Sequence, residues 1–294
     1  ALTPASYPKD PDLEWCPPGH GDIYPAMRGS GMLTRLIDAG FRYAFVSNSD
    51  NLGAVADPRV AGWFAGSGAP FAIEAVRRTA SDRKGGHFAR RKADGRIVLR
   101  ESAQTTEEDA AALADLDRHR YCSTNNLWFD LRAMAEALEA RHGNLGLPLI
   151  RNVKTVDPSD ASTPEVIQVE TAMGAAIEVF EGARTIEVGR NRFVPVKTTN
   201  DLLVLRSDVY DVGRDFVLEP QATPPYVELD PEYYKLVPEF ERRFPEGAPS
   251  LRGATSLTVG GDWTFGAKVT VTGDVALRTD AAEHVATGSV LEHD

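Results

Sequence analysis

The sequence predicts an α/β fold with a largely parallel sheet, followed by a short C-terminal parallel β-helix. Three observations lead to this prediction. Strand-like apolar runs alternate with helix-like segments up to residue 212. Residues 213–250 are rich in proline and aromatic residues and resemble a connector. Beyond residue 251, apolar residues recur at every sixth position, which is typical of hexapeptide β-helices. We therefore divide the chain into 1–212, 213–250 and 251–294.

The α/β part has a regular succession of elements. Strands are predicted at 41–47, 70–76, 96–100, 166–169 and 192–196, and helices at 106–118, 131–143, 172–180 and 201–210. Alternating strands and helices favour a parallel sheet, in which ligands gather beyond the carboxyl ends of the strands. Two polar segments, Asn48 to Asn51 and Lys197, follow predicted strands. We expect both at that edge of the sheet.

The C-terminal repeat has two apolar phases. One consists of Leu257, Trp263, Val269 and Val275, and the other of Val259, Phe265, Val271 and Leu277. An antiparallel meander with glycine-rich turns is the alternative. The constant spacing favours a β-helix, because hairpin loops vary in length. Since such modules often mediate assembly, a homo-oligomer through this segment is a further prediction.

Composition limits the possible functions. A net charge of −11 argues against binding to nucleic acid or to an anionic membrane. No apolar run reaches the roughly 18–20 residues of a membrane span, and residue 1 does not open a signal peptide. Cys16 and Cys122 form no CxxC pair, so we expect a reduced, cytoplasmic setting. Because the chain begins without Met and its first motif starts at Trp15, we expect part of a domain upstream.

Three segments could bind a ligand. Residues 15–24 place His20 between Gly19 and Gly21, where backbone can approach a ligand closely, although a glycine-rich turn explains the segment equally well. Asp50 follows a buried strand, where it could bind Mg²⁺ or simply cap the next segment. Lys197 precedes a helix and could hold a phosphate with the helix N–H groups, but a lone lysine is more often a solvated surface residue.

Together these segments resemble the eukaryotic-type UDP-glucose pyrophosphorylase family. The resemblance is carried, in the family's order, by WCPPGHGDIY at 15–24, FVSNSDNLGA at 45–54, RKGG at 83–86, STNNLWF at 123–129, VKTVD at 153–157, IQVETAMGAAI at 167–177 and RFVPVKTTNDLLVL at 192–205. It implies a Rossmann-like nucleotidyltransferase domain, incomplete at its N-terminus, and a left-handed parallel β-helix. It also implies that UTP and glucose-1-phosphate are converted to UDP-glucose and pyrophosphate with Mg²⁺.

The resemblance assigns roles at matching positions. Gly19, Asn48, Asp50 and Lys197 would bind the nucleotide, with Asp50 as the Mg²⁺ ligand. His20 would lie beside the sugar phosphate and, with Lys197, contribute to catalysis. The remaining predicted substrate-binding residues are Gly85, Glu101, Asn125, Asn126, Glu170 and Phe193. The motif around Glu101 departs from the family pattern.

One departure bears on activity. The family's glycine-rich phosphate loop, with its own lysine, and its uracil-recognising segment have no counterpart in this sequence. A chain limited to these residues is therefore expected to bind without turning over UTP, whereas an upstream segment would restore activity. Two alternatives remain: a related UDP-sugar or UDP-N-acetylhexosamine pyrophosphorylase, and a protein that binds but does not catalyse.

Overall fold

The chain forms two compact units. The computed structural model describes residues 3–79, 82, 86–101 and 105–292. The α/β unit comprises Ala1–Ser47 and Ala56–Val188, and the C-terminal unit comprises Asn48–Val55 and Gly189–Asp294. The predicted division at residues 212 and 250 stays a prediction, and the compact units place their boundary before Gly189 instead.

The α/β unit contains eight strands and five α-helices among its described residues. The helices are α1 Ile23–Gly29, α2 Met32–Asp38, α3 Pro58–Ser67, α4 Ala110–Ala114 and α5 Leu131–Ala140. The strands are β1 Tyr43–Val46, β2 Phe71–Arg77, β3 His87–Arg90, β4 Ile97–Arg100, β5 Tyr121–Asp130, β6 Leu149–Thr155, β7 Glu165–Thr171 and β8 Arg184–Glu187. Short 3₁₀ helices form at Pro11–Glu14, His20–Asp22, Glu107–Asp109 and Met173–Glu178.

The main sheet is mostly antiparallel, so the prediction of a largely parallel sheet is wrong. Its order is β4-β3-β5-β2-β8, with β1 also paired to β5. Among the described strands of this sheet, only β2 and β8 pair in parallel. The alternation of strand, helix and strand does correspond to a local unit, because α3 connects β1 to β2 and both strands run in the same direction. The central strand β5 lies between them and runs the opposite way, which local pattern does not reveal.

Helix α5 shows how the sequence sets a helix boundary. The Asp130 carboxylate accepts hydrogen bonds from the backbone N–H groups of Arg132 and Ala133, at 2.9 and 3.3 Å. This N-cap confirms the predicted start after Asp130. Leu131, Met134 and Leu138 lie on one face of the helix and are buried in the core of the unit. The helix ends at Ala140, slightly before the predicted end at Gly143.

Two histidine rings, one buried and one half-buried, are stacked in the α/β unit. His87 on β3 is fully buried, and its ring centroid lies 3.8 Å from that of His119. Neither ring nitrogen of His87 has a hydrogen-bond partner among the described residues. Burial, and then the positive charges of His119, Arg100 and Arg78, lower the pKa of His87 to about 4. His87 is therefore neutral in the folded protein at pH 7.

This histidine should make the fold sensitive to acid. As the pH falls below the usual histidine pKa, His87 becomes protonated in the unfolded chain. In the folded protein it stays neutral until the pH reaches about 4. We expect His87 to lower the free energy of unfolding by about 2 kcal/mol between pH 7 and pH 5. Urea unfolding of the wild type and of His87→Phe, which keeps a stacked ring, measures this contribution. An equal pH dependence in the two proteins would contradict the assignment.

The C-terminal unit combines three α-helices with eight strands among its described residues. The helices are α6 Thr199–Arg206, α7 Pro231–Tyr234 and α8 Val237–Arg243. The strands are β9 Tyr210–Val212, β10 Leu218–Pro220, β11 Tyr226–Leu229, β12 Ser250–Gly260, β13 Trp263–Phe265, β14 Thr270–Arg278, β15 Glu283–Val285 and β16 Val290–Glu292. Short 3₁₀ helices form at Arg190–Arg192 and Arg214–Phe216.

The last strands of this unit stack in parallel. β11, β12, β14 and β16 form one sheet, and β13 pairs with β15. Leu257 lies opposite Val275 and Thr270 opposite Val290, so paired residues of β12, β14 and β16 are 18 or 20 residues apart in the sequence, whereas those of β11 and β12 are 30 apart. Both apolar phases of the repeat face one core: six positions are buried, and Trp263 and Leu277 pack against them. The antiparallel meander is thereby excluded for these strands.

The predicted connector at 213–250 contains regular helices and strands. Pro231 occupies the first turn of α7, and the Asp230 carboxylate accepts a hydrogen bond from the N–H of Glu232. Proline is compatible with the first helical turn, so these prolines start helices rather than break them. Tyr234 and Phe240 are buried in the same core as the stacked strands. These two aromatic residues are therefore core residues. In neither unit does any described helix have the length and apolar character of a membrane span.

Candidate functional site

The glycine-rich segment at 15–24 lies against the end of β7. Gly19 has φ +84° and ψ 164°, a backbone conformation that is essentially restricted to glycine. A Cβ atom built on Gly19 would lie 2.6 Å from Cβ of Glu170 and 2.8 Å from the carbonyl oxygen of Thr171. The backbone N–H of Thr171 donates to the carbonyl of Pro18 at 3.3 Å. Gly19 therefore permits a backbone contact that no other residue allows.

His20 is held in a defined orientation by the residues after β7. Its Nδ1 atom accepts a hydrogen bond from the backbone N–H of Met173 at 2.9 Å. A nitrogen that accepts carries no proton, so the neutral ring has its hydrogen on Nε2. The hydroxyl of Tyr24 donates to the carbonyl of Met173 at 2.7 Å, which fixes the same segment from a second side. This tautomer suits His20 to donate a hydrogen bond to a phosphate or sugar oxygen.

Asn125 lies in an irregular part of β5. Opposite the single residue Glu74, β5 carries the three residues between Ser123 and Leu127, which is a β-bulge. Asn125 has φ +56°, in the left-handed region that asparagine adopts more readily than most residues. Its Oδ1 atom would lie 3.2 Å from a Cβ atom built on Gly174. Gly174 directly follows Met173, so Asn125 and His20 are brought to the same short segment.

Asn126, the next residue, is fully buried. Its Nδ2 atom donates to a carboxylate oxygen of Glu74 at 3.0 Å. A side chain without exposure presents no surface to a ligand. Its predicted role as a residue of the glucose pocket therefore stays a prediction that the burial does not favour.

The other predicted substrate-binding residues of this unit lie at different places. The Glu170 carboxylate accepts a hydrogen bond from Asn152 at 2.7 Å, and Glu170 lines a cavity of about 230 Å³ beside the glycine-rich segment. Glu101 follows β4, and its carboxylate lies against Gly86. Gly85 lies outside the described residues.

The C-terminal unit carries the remaining predicted residues. Its segment 48–55 runs alongside residues 190–196, with Leu52 N–H bonded to Val194 O at 3.0 Å and Val196 N–H bonded to Asp50 O at 2.9 Å. The side chain of Asn51 bridges the two segments, donating to the carbonyl of Arg192 and accepting from the N–H of Val194. Asn51 and Pro195 form an isolated bridge, so the strand predicted at 192–196 is wrong. Proline lacks the N–H that an extended ladder needs.

These contacts place Asp50 beside the residue that precedes Lys197. Neither the Asp50 carboxylate nor the exposed Lys197 ammonium forms a hydrogen bond or ion pair with a described residue. The backbone N–H groups of Lys197 and Thr198 both donate to the Asp201 carboxylate at 2.9 Å, as part of the capping box of α6. These two N–H groups are therefore occupied, and the prediction that Lys197 holds a phosphate together with the N–H groups of the helix stays a prediction.

The flanking residues add positive charge and fix the backbone. Arg192 is buried, and its guanidinium donates to the carbonyl of Val55 at 2.8 Å. The guanidinium of Arg190 lies 5.2 Å from the ring centroid of Phe193, which restrains that ring by a cation–π contact. Asn48 is half-buried, and its carbonyl accepts from Asn51 N–H at 3.3 Å. Asn48, Asp50, Phe193 and Lys197 thus belong to one pair of hydrogen-bonded segments.

Gly53 should be essential for this pairing. A Cβ atom on Gly53 would lie 2.5 Å from the carbonyl oxygen of Asn191 and 2.8 Å from the nitrogen of Phe193. Both are backbone atoms, so the two segments would have to separate. We expect Gly53→Ala to lower the free energy of unfolding by about 2 kcal/mol or more. Urea unfolding measures the change.

A suitable control for this prediction is Gly260→Ala in the same unit. There the added Cβ would meet Cγ of Arg278 at 3.7 Å, which is an ordinary contact. Little change in stability is expected. If Gly53→Ala is as stable as Gly260→Ala, the close approach of the two segments does not describe the protein in solution.

Among the described residues, the predicted Mg²⁺ ligand Asp50 is not part of a complete set of protein ligands for a metal ion. No group of three or more His, Cys, Asp or Glu side chains in the described part of the chain could hold a metal ion. Mg²⁺ is usually held by one or two carboxylates together with substrate phosphates and water. Asp50 fits that arrangement, provided the phosphates of a substrate complete the coordination.

Comparison with known proteins identifies the family. The family model described as UTP–glucose-1-phosphate uridylyltransferase matches residues 1–272. The chain belongs to this family. It is 38% identical to the enzyme of that name from Hordeum vulgare over 95% of this chain, and 36% identical to a probable one from Schizosaccharomyces pombe over 99%.

Solved structures agree with this assignment. A Trypanosoma brucei structure described as UDP-glucose phosphorylase superimposes with a TM-score of 0.93 at 43% identity, covering 99% of this chain. A point mutant of the Leishmania major UDP-glucose pyrophosphorylase, solved in complex with UDP-glucose, gives 0.92 at 44% identity over the whole chain. The present chain spans 58% of both sequence relatives and 64–65% of these two structures.

The predicted site residues therefore form two groups. In the α/β unit, the segment Glu170 to Gly174 contacts Gly19, His20 and Asn125. In the C-terminal unit, the pairing through Asn51 holds the backbone of Asp50 next to Val196, the residue before Lys197. Sequence reasoning missed the residues that organise each group, namely Met173, Gly174, Asn51 and Glu74. Glu74 alone had a detectable signal, since a carboxylate interrupts an otherwise apolar strand.

Proposed function

We propose that this chain supplies the sugar-binding and phosphate-binding residues of a UTP–glucose-1-phosphate uridylyltransferase. The supporting observation is the hydrogen bond between Val196 N–H and Asp50 O, which joins the backbone of Asp50 to the residue before Lys197. Neither the carboxylate nor the ammonium forms a hydrogen bond or ion pair with a described residue. A diphosphate needs both a cation held by a carboxylate and a direct cationic contact. Family membership supplies the substrates UTP and glucose-1-phosphate.

The reaction is a transfer of a uridylyl group. A phosphate oxygen of glucose-1-phosphate attacks the α-phosphorus of UTP, and the bond from that phosphorus to the β-phosphate bridging oxygen breaks. UDP-glucose and pyrophosphate are the products, and no covalent enzyme intermediate is required. Bound Mg²⁺ on Asp50 would neutralise charge on the phosphate oxygens. Catalysis then consists of positioning and charge stabilisation.

Each named side chain has a role in this scheme. Lys197 contacts the phosphate whose charge grows during transfer, and Phe193 lies beside it. His20, with its proton on Nε2, donates to the sugar phosphate. Asn125 donates to or accepts from glucose hydroxyls, and Glu170 and Glu101 border that pocket. Gly19 and Asn48 let backbone and amide groups approach the nucleotide.

Finer features of the fold are also part of the proposal. The α3 crossover between β1 and β2 supports a Rossmann-like nucleotidyltransferase domain. Parallel stacking of β12, β14 and β16, with paired residues 18 or 20 apart in the sequence, supports a left-handed β-helix of three six-residue segments per turn. Cys16 and Cys122 are not joined in a disulfide, which supports a cytoplasmic location. Assembly through the stacked strands stays a prediction, which light scattering of the purified chain tests.

A titration and an activity assay test the function. We expect UDP-glucose to bind the chain in calorimetry and Mg²⁺ to strengthen binding, whereas Asp50→Asn should abolish the Mg²⁺ effect. Pyrophosphate release from UTP is then measured with glucose-1-phosphate and with N-acetylglucosamine-1-phosphate. Binding without release identifies a chain that binds but does not catalyse, and preference for the acetylated sugar identifies the related pyrophosphorylase. A chain that binds no UDP-glucose overturns the proposal.

A further inference from the structure

Glu74 is a fully buried acidic residue at the centre of the main sheet. Its strand β2 lies between β5 and β8, with Glu74 opposite Ile186 of β8. One carboxylate oxygen accepts from Trp128 Nε1 at 2.9 Å, and the other accepts from Asn126 Nδ2 at 3.0 Å. Burying a carboxylate is costly unless it is hydrogen-bonded. An apolar residue would fill this place in the strand at lower cost, so the carboxylate needs another explanation.

The hydrogen bonds of Glu74 converge on the bulge of β5. Its backbone carbonyl accepts from Thr124 Oγ1 at 2.9 Å, and the same hydroxyl accepts from Asn126 N–H at 3.1 Å. Thr124 and Asn126 flank Asn125 on both sides. Both neighbours of Asn125 are therefore anchored to one residue, and the backbone between them is held in its left-handed conformation.

The bulge matters because of where it puts the Asn125 amide. Without the extra residues, β5 would continue its regular alternation at this point. With them, the Oδ1 atom of Asn125 lies against Gly174, next to the Met173 N–H that binds His20. Ser123 Oγ also donates to Asn125 Oδ1 at 3.2 Å, which restrains the amide.

We propose that Glu74 is a positioning residue that sets sugar recognition by holding Asn125 in the bulge through Asn126 and Thr124. This inference rests on the proposed function, in which Asn125 contacts the glucose hydroxyls. Glu74 does not itself reach the substrate. Its loss should weaken recognition of the sugar and leave recognition of the nucleotide unchanged.

An exchange of donors and acceptors tests the proposal. In Glu74→Gln, one carboxylate acceptor becomes an N–H donor that faces an atom that itself donates, either Nδ2 of Asn126 or Nε1 of Trp128. In the double variant Glu74→Gln with Asn126→Asp, the new amide can donate to the carboxylate introduced at position 126 while its oxygen accepts from Trp128. Calorimetry then compares the affinities of each protein for UDP-glucose and for UDP.

We expect the single variant to lose at least about tenfold in affinity for UDP-glucose, with little change for UDP, because a misplaced polar contact loses a hydrogen bond. The double variant should recover most of the loss. An equal loss for both ligands, or no loss, overturns the proposal. So does a double variant as weak as the single one, since a generally damaged fold would not be rescued.

A measurement without ligand separates this inference from the proposed function. The Trp128 indole N–H and the Asn125 amide give distinct signals in nitrogen–proton correlation spectra, and the Cα shift of Asn125 reports its backbone conformation. We expect Glu74→Gln to move all three signals and the double variant to restore them. An unchanged Asn125 in the single variant refutes the positioning role, whether or not the wild type binds UDP-glucose.

Discussion

Lys197→Ala is expected to weaken UDP-glucose binding by about tenfold to a hundredfold, since a charge-assisted contact to a phosphate is lost. The pairing of residues 48–55 with 190–196 leaves the ammonium of Lys197 without an ion pair among described residues. No neighbouring described side chain is therefore deprived of a partner when Lys197 is removed. The fold should remain intact, and the loss should reflect the ligand alone.

The same variant should affect turnover more strongly than binding. Where pyrophosphate release is measurable, we expect kcat to fall by about two to three orders of magnitude, because the charge on the phosphate grows in the transition state. Lys235→Ala is the matched control, since Lys235 is also an exposed lysine of the C-terminal unit. If the two variants behave alike, Lys197 only contributes to the general surface charge.

Gly19→Ala is expected to cost about a hundredfold in affinity for UDP-glucose, equivalent to roughly 3 kcal/mol. Two independent energetic penalties, backbone strain and steric collision, add at this residue. Its φ and ψ values lie in a region that disfavours any side chain, and the new Cβ would collide with Glu170 and with the Thr171 carbonyl. The segment carrying His20 would have to move away from β7 and Met173. Calorimetric titration with UDP-glucose measures the loss.

The variant Gly31→Ala separates backbone strain from steric collision. Gly31 also has a positive φ, of +72°, but an added Cβ would meet nothing within 4 Å. It should therefore lose only about 1 kcal/mol of stability from backbone strain and keep its affinity. If Gly19→Ala binds UDP-glucose as well as Gly31→Ala does, the close contact with β7 is not needed for binding.

Local signals in the sequence predicted local structure well. Asp130 predicted the start of α5 because a carboxylate that caps a helix acts on the next three residues. The six-residue spacing predicted which side chains face the core of the stacked strands, because that spacing repeats along the chain. The direction of β5 was not predictable in the same way, since it depends on which distant strands pair with it. For the same reason the sheet proved mostly antiparallel.

The candidate site was predictable as a set of residues but not as an arrangement. The motifs around Gly19, His20, Asp50 and Lys197 indicate phosphate chemistry through their resemblance to the family. Neither the bulge at Asn125 nor the contact of Met173 N–H with His20 is visible in the sequence, because each joins segments far apart in the chain. Glu74 was visible as a carboxylate within an apolar run, but its partners Asn126 and Trp128 were not.

The central claim is that Asp50 and Lys197, which lie on two hydrogen-bonded segments, act on the same phosphates. A double-mutant cycle on UDP-glucose affinity in the presence of Mg²⁺, with Asp50→Asn, Lys197→Ala and the combined variant, tests it most directly. We expect the effects to be non-additive, with a coupling of about 1 kcal/mol or more. Strictly additive losses would mean that the two side chains act at separate places, and would contradict this account.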